Sequence, residues 1–372
     1  MKKVPDTIST NLMDFRLLLG FGFVTLISLA VVLIEIFSVP ISQNATAIST
    51  PASDGVSTTE TIETKELVQS TTTDQKIAQE PKDEVKEKVV KVEVAVSKSD
   101  LSLAAIKTRA AVVNVVCAST LPITTEMSGS GVIIDPRGII VTNAHVAFYF
   151  LYMGDRDFDT NCIVRTGNPA KPAYIAKLMF ISPQWVARNG ISVLRQMYTG
   201  VNGDYDYAFL FITGSLTDDP LSEAFPYIPL NDSETFVKEP VVIVGYASEF
   251  LEWEQVADSL YQTVVNGSIK SGETFFGSGI DIVELGGNAA AQHGSSGGAI
   301  VNAAGKLEAI IAVGTGEENT AERKFQGLTA QYLRRAYAKE ESKSLDTLFK
   351  DPEASVRAFS VRFIELQNIS AY

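Results

Sequence analysis

Histidine and cysteine are both scarce: the 372 residues hold two of each, His145 and His293, Cys117 and Cys162. Structural zinc sites gather four Cys or His ligands from closely spaced positions. These four are scattered, which argues against a zinc finger, and no metal or cofactor is implied. Any imidazole base is confined to two positions. Basic residues are outnumbered, 31 Lys and Arg against 44 Asp and Glu, giving a formal net charge of -13. A nucleic-acid partner calls for a basic face, so none is expected. Aromatic residues are missing altogether between Phe37 and Phe148. What remains is still apolar enough, at 45% hydrophobic and 20% charged, to bury a sizeable core.

Charge is absent from Leu17 to Ile34, and Ile36 and Phe37 continue the apolar run. A spanning helix needs about 20 apolar residues, with a lower limit near 17. Lys2, Lys3 and Arg16 precede the run, and no Lys or Arg follows until Lys65. The positive-inside rule then predicts a cytoplasmic segment 1–16, a membrane anchor at 17–38 and an extracytoplasmic remainder, periplasmic or cell-surface. A cleaved signal peptide is the rival, because Ala45-Thr46-Ala47 resembles a small-residue cleavage site. The apolar run is long for such a peptide and begins late, which favours the uncleaved anchor. Residues 39–98 are rich first in Ser and Thr, then in Lys, Glu and Val. Without aromatics such a segment buries too little surface to offset its ordering entropy, so a disordered linker is expected.

Beyond it the pattern changes to short apolar runs separated by Gly, Pro, Asn and Asp, among them Val112–Cys117, Ile139–Thr142, Tyr207–Ile212, Pro240–Gly245 and Leu307–Val313. Many short strands with turn signals predict an all-β sandwich or barrel over 99–340. A helical insertion is expected at Gln184–Tyr198. Two helices, Thr329–Glu340 and Glu353–Leu366, are expected to close the chain, the second within a tail at 341–372. Val356, Phe359, Phe363 and Leu366 recur at helical spacing and predict a stripe glued to the domain surface.

Three segments carry chemistry. In Ser128-Gly-Ser-Gly-Val-Ile-Ile-Asp-Pro-Arg-Gly-Ile-Ile-Val-Thr-Asn-Ala-His145, a hairpin turning at Asp135–Gly138 delivers His145 from a strand end. Asp206 stands just before the apolar run Ala208–Ile212, where a carboxylate can orient an imidazole and stabilise its charged form. His293-Gly-Ser-Ser296-Gly-Gly precedes an apolar strand. Glycines flanking a serine let the amides of Gly294 and Ser296 turn inward together toward a developing oxyanion. A surface histidine, a strand cap and a Gly/Ser turn are the plain readings of these segments taken singly.

Chain order sharpens the reading. Gly294-x-Ser296-x-Gly298 also fits the nucleophile elbow of α/β-hydrolases, which place the histidine after the serine. No histidine follows His293. A subtilisin order would need an acid ahead of His145, and Asp135 sits in the hairpin turn only ten residues away. The order His145, Asp206, Ser296 remains.

With Val242-Ile-Val-Gly-Tyr246 and Ala299-Ile-Val-Asn302 added, residues 103–338 resemble trypsin-like serine proteases, the Deg/HtrA-like branch in particular. The resemblance implies two six-stranded β-barrels with a cleft between them. It makes His145 general base and acid, Asp206 the orienting carboxylate and Ser296 the nucleophile of an endopeptidase acting on proteins or peptides. It also implies an S1 pocket floored near Ala290, walled by Ala312, Val313 and Gly314, with His293 at its rim. Alanine at the floor offers no charge to a basic P1 side chain, so a small or medium apolar P1 is expected. About 30 residues follow Glu340, too few for the PDZ domain common in that branch. Cys117 and Cys162 are a candidate disulfide, left open by the sequence, as is the oligomeric state. An inactive protease fold that binds or scaffolds is the alternative function.

Overall fold

The β-prone runs form thirteen strands in a computed structural model, which describes residues 98–120, 125–155, 157–198, 203–313 and 319–371. The anchor expected at 17–38 and nearly all of the linker lie outside the described residues. Among those described, no helix is long and apolar enough to cross a membrane.

A helix, α1 (Lys98–Ala111), leads into β1 (Val112–Ser119), β2 (Thr125–Asp135) and β3 (Ile139–Thr142). After the segment that carries His145 come β4 (Thr160–Thr166), β5 (Lys171–Ile181) and β6 (Ala208–Ser215). These six close into a barrel in the order β1-β2-β3-β6-β5-β4. The expected turn is present: the Gly138 amide donates to the Asp135 carbonyl at 2.9 Å. All of β3 and the first three residues of β6 are buried at consecutive positions rather than alternate ones. Such unbroken apolar runs suit strands covered on both faces, one by the barrel interior and the other by the C-terminal helices. Phe209 on β6 meets Phe349 at 5.2 Å, and Phe180 on β5 meets Tyr337 at 5.0 Å.

The barrel closes where β1 pairs with β4, and there Cys117 stands directly opposite Cys162. The two form a disulfide. Cross-linking positions 45 residues apart stabilises a fold by about 3–4 kcal/mol through the unfolded chain.

The second body differs from the expected six-stranded barrel. It is a curled seven-stranded sheet ordered β8-β7-β11-β12-β13-β10-β9. Its members are β7 (Pro240–Gly245), β8 (Thr263–Ser268), β9 (Ser271–Glu273), β10 (Ile282–Glu284), β11 (Ala299–Asn302), β12 (Leu307–Val313) and β13 (Phe325–Thr329). Its two edges, β8 and β9, are consecutive in the chain and separated only by Ile269 and Lys270. The Ile269 amide still donates to Glu239 while the Lys270 amide already donates to Glu284. One bent strand therefore changes partner at this step, and the covalent chain spans the place where a barrel would close by hydrogen bonds.

The tail also departs from expectation. After α5 (Ala330–Glu341) it forms α6 (Leu345–Lys350), α7 (Pro352–Ser360) and α8 (Phe363–Ala371), preceded in the chain by α2 (Ala144–Ala147), α3 (Pro183–Leu194) and α4 (Trp253–Ser259). The single helix expected at 353–366 breaks at Val361–Arg362. The break lets α7 cover β5 while α8 turns onto α3, the insertion helix. Phe359 and Leu366 are buried as the stripe predicted, on two helices instead of one.

One buried feature of the second body is acidic. Glu308 accepts from Asn231, Thr235 and Asn302, and Glu239 lies close by. Burial, with the Glu308 charge second, pushes the Glu239 carboxyl up to about 7 from an ordinary 4.5. The folded state then holds a proton that the unfolded chain has released, so stability falls as pH rises across that interval. Because Glu239 is only half-buried, the effect is discounted to about 1 kcal/mol. Glu239→Gln should reduce the stability difference between about pH 5 and about pH 8, read by urea denaturation. An unchanged difference would remove Glu239 from the account.

Candidate active site

Two elements of the first barrel bring the imidazole and the carboxylate together. β3 ends at Thr142, and His145 sits in the one-turn helix α2 rather than at the strand end itself. Asp206 stands two residues before β6, the hydrogen-bonded neighbour of β3. Asp206 holds His145 at two points: Oδ1 accepts the backbone amide at 3.0 Å and Oδ2 meets Nδ1 at 2.8 Å. A carboxylate can only accept here, so the Nδ1 proton is fixed and Nε2 is left as the basic nitrogen. The Asp206 side chain is 5% exposed and that of His145 23%, so the acid is sealed while the base can reach a substrate. Asn143 adds a third tie, donating to the Asp206 carbonyl at 2.9 Å.

Ser296 comes from the second body, on the turn before β11. Gly294 and Gly297 have φ of +90° and +82°, a region that disfavours any side chain. A Cβ on Gly297 would also collide with the Ser130 carbonyl and the Thr142 hydroxyl. The amides alternate in this turn. Those of Ser295, Gly297 and Gly298 donate to Gln292, Ile311 and Ser295 at 3.2, 2.8 and 2.9 Å. Among the described residues, those of Gly294 and Ser296 have no protein acceptor. Two unengaged N–H groups two residues apart, beside a serine hydroxyl, can stabilise negative charge developing on a carbonyl oxygen.

Ser130, which the sequence reading passed over, fastens this turn to the hairpin that carries His145. Its amide donates to the Ser296 carbonyl at 2.8 Å and its hydroxyl to the Gly294 carbonyl at 2.7 Å. The same hydroxyl accepts the Tyr246 amide at 2.9 Å, and the Ser130 carbonyl accepts the Thr142 hydroxyl at 2.6 Å. Ser130 is fully buried. A polar residue between two glycines within an apolar strand was the signal that could have singled it out.

The nominated pocket residues divide. Ala290 is fully buried, its amide bound by Asn288 Oδ1 at 2.8 Å, in the loop that continues to an exposed His293. The His293 amide donates to Glu249, whose carboxyl the Arg323 guanidinium holds below the usual range. Arg323 also donates to the Ala291 carbonyl at 2.8 Å, so the charges near Ala290 are a paired Arg and Glu. Ala312 is buried and Val313 ends β12. Gly314 lies outside the described residues.

A second residue that the sequence reading missed is Tyr198, in the insertion, whose ring centroid is 5.6 Å from that of His145. Burial pushes its phenol well above the ordinary value, and the Asp206 charge adds to the shift.

A comparison with family models matches residues 129–310 to the trypsin-like peptidase domain. No curated protein matches the chain.

Proposed function

We propose that this chain, whose residues 129–310 are a trypsin-like peptidase domain, is a serine endopeptidase with His145, Asp206 and Ser296 as its working residues. The observation that carries the reading is the two-point grip of Asp206 on His145. That grip leaves Nε2 basic on the hairpin to which the Ser296 turn is tied through Ser130. In the reaction, His145 Nε2 takes the Ser296 hydroxyl proton as Oγ attacks the scissile carbonyl. The amides of Gly294 and Ser296 receive the oxyanion. The C–N bond then breaks, His145 returns the proton to the leaving amine, and water repeats the sequence on the acyl-enzyme. The route needs no cofactor.

Protein or peptide substrates follow from this reading. The absence of a carboxylate at Ala290 supports small or medium apolar P1 residues. The motifs around His145 and Ser296 support the Deg/HtrA-like branch. The apolar run at 17–38 and its flanking charges support a membrane anchor with the peptidase domain outside the cytoplasm. The Cys117–Cys162 bridge supports the same side, since disulfides persist in oxidising compartments.

A fluorophosphonate probe tests the assignment on the full chain. The expected result is one covalent adduct, mapped to Ser296 by peptide mass. Folded protein that takes up no probe would favour an inactive, binding fold.

A further inference from the structure

We propose that Tyr198 is a positioning residue for the base His145, held against Trp185 of the insertion helix α3; this rests on the peptidase reading above. The insertion between His145 and Asp206 is more than surface decoration. Its helix places Trp185, fully buried, with its ring 5.5 Å from that of Tyr198 and nearly perpendicular to it. Trp185 in turn meets Phe148 at 5.9 Å, and Phe148 lies three residues beyond His145. The rings of His145, Tyr198, Trp185 and Phe148 thus make a chain of contacts that starts and ends on the same short segment.

The mount is itself fixed on several sides. Ser182 caps α3 by accepting the Trp185 amide at 3.1 Å. Arg188 pairs with Asp204 at 2.5 Å, which ties the helix to the segment leading into Asp206. Gly190 lies so close to Ser370 on α8 that a Cβ there would be 2.5 Å from the Ser370 Cβ. Ser370 meets the Tyr152 hydroxyl at 2.7 Å, and Gln367 donates to the Leu151 carbonyl at 2.7 Å.

Asp206 grips only the Nδ1 edge of the imidazole and the backbone behind it. Tyr198 supplies a ring contact that limits how far the imidazole can swing, without touching the carboxylate hydrogen bonds. The Tyr198 hydroxyl lies near the Trp185 indole N–H, both are buried, and neither reaches His145 or makes a hydrogen bond of ordinary geometry among the described residues. The contact is therefore made by the ring, and phenylalanine should serve as well as tyrosine.

The test compares Tyr198→Ala and Tyr198→Phe in the full chain, on a peptide substrate selected by library cleavage. Tyr198→Ala should lower kcat about 10- to 100-fold with KM changed less than about two-fold, because misplacing a catalytic group by about 1 Å costs that much. Tyr198→Phe should restore kcat. A loss confined to KM would make Tyr198 a substrate contact, and a wild-type kcat in Tyr198→Ala would make it filler; either overturns the proposal. Proton NMR gives a reading independent of activity. With two histidines in the chain, a His293→Ala background leaves His145 as the single imidazole. Its ring-proton resonance should move in Tyr198→Ala and stay in Tyr198→Phe, and no movement in a folded Tyr198→Ala protein overturns the contact. If the wild type takes no probe but the resonance moves, the peptidase reading falls while the ring contact stands.

Discussion

Ser296→Ala should hydrolyse peptides about 10⁶-fold more slowly than the wild type while folding normally. On the proposed mechanism the hydroxyl oxygen forms the acyl-enzyme, and the neighbouring serine offers no substitute. Ser295, next in the chain, has a fully buried side chain whose hydroxyl has no partner among the described residues. What remains in the variant are the unengaged amides of Gly294 and Ser296, which still stabilise an oxyanion formed by attacking water. A residual acceleration of about 10³- to 10⁴-fold over the uncatalysed rate is the expected floor. Folding should be intact because the turn is held by main-chain atoms and Ser130: the Ser296 carbonyl still accepts the Ser130 amide. Single-turnover kinetics beside a thermal melt separate the two effects. A variant that melts like the wild type and keeps more than about a hundredth of its rate would dismiss Ser296 as the nucleophile.

Asp206→Asn is the second large effect, a loss of about 10⁴-fold in kcat. The asparagine oxygen can still accept the His145 amide, so the main-chain contact survives. The second oxygen becomes an NH2 group, which donates where the carboxylate accepted. Nδ1 must then accept, the ring proton moves to Nε2, and the nitrogen facing the substrate loses its basicity. The loss also includes the charge that stabilises the imidazolium formed in the reaction. KM should change little, because Asp206 is sealed from the substrate side. A decrease in kcat below about tenfold would mean that another acid orients the base.

Much of this arrangement was legible in the sequence because each feature has a local cause. Apolar runs bounded by Gly, Pro and Asp gave the strands, and Asp135-Pro-Arg-Gly138 formed its turn as expected. The order His145, Asp206, Ser296 named Asp206 as the partner of His145, and the two are hydrogen-bonded at 2.8 Å. The features that escaped depend on contacts distant in the chain. β13, Phe325–Thr329, carries Gln326 and Gly327 and has no apolar alternation, so only its pairing with β12 and β10 makes it a strand. The partner change at Ile269–Lys270 follows from two different neighbours competing for one stretch. The break at Val361–Arg362 has no proline or glycine behind it; it reflects two separate surfaces, β5 and α3, that the tail must cover. The Cys117–Cys162 bridge needed the register of β1 on β4, which spacing alone does not supply. Tyr198 follows Gln196 and Met197, exposed residues that gave no hint that the next side chain turns inward.

The two-way hydroxyl of Ser130 narrows how this protein can drift over generations. One oxygen donates to the Gly294 carbonyl and accepts from the Tyr246 amide. Alanine there orphans both groups in a fully buried place, valine does the same with added bulk, and threonine brings a methyl group into a site without room to spare. A Cβ on Gly129 would collide with Val146 and one on Gly131 with Ile140, so neither neighbour can grow to compensate. A lineage that keeps hydrolytic activity is therefore expected to keep serine at this position. Because the cost falls on folding, a lineage that keeps the fold after losing activity stays under the same constraint.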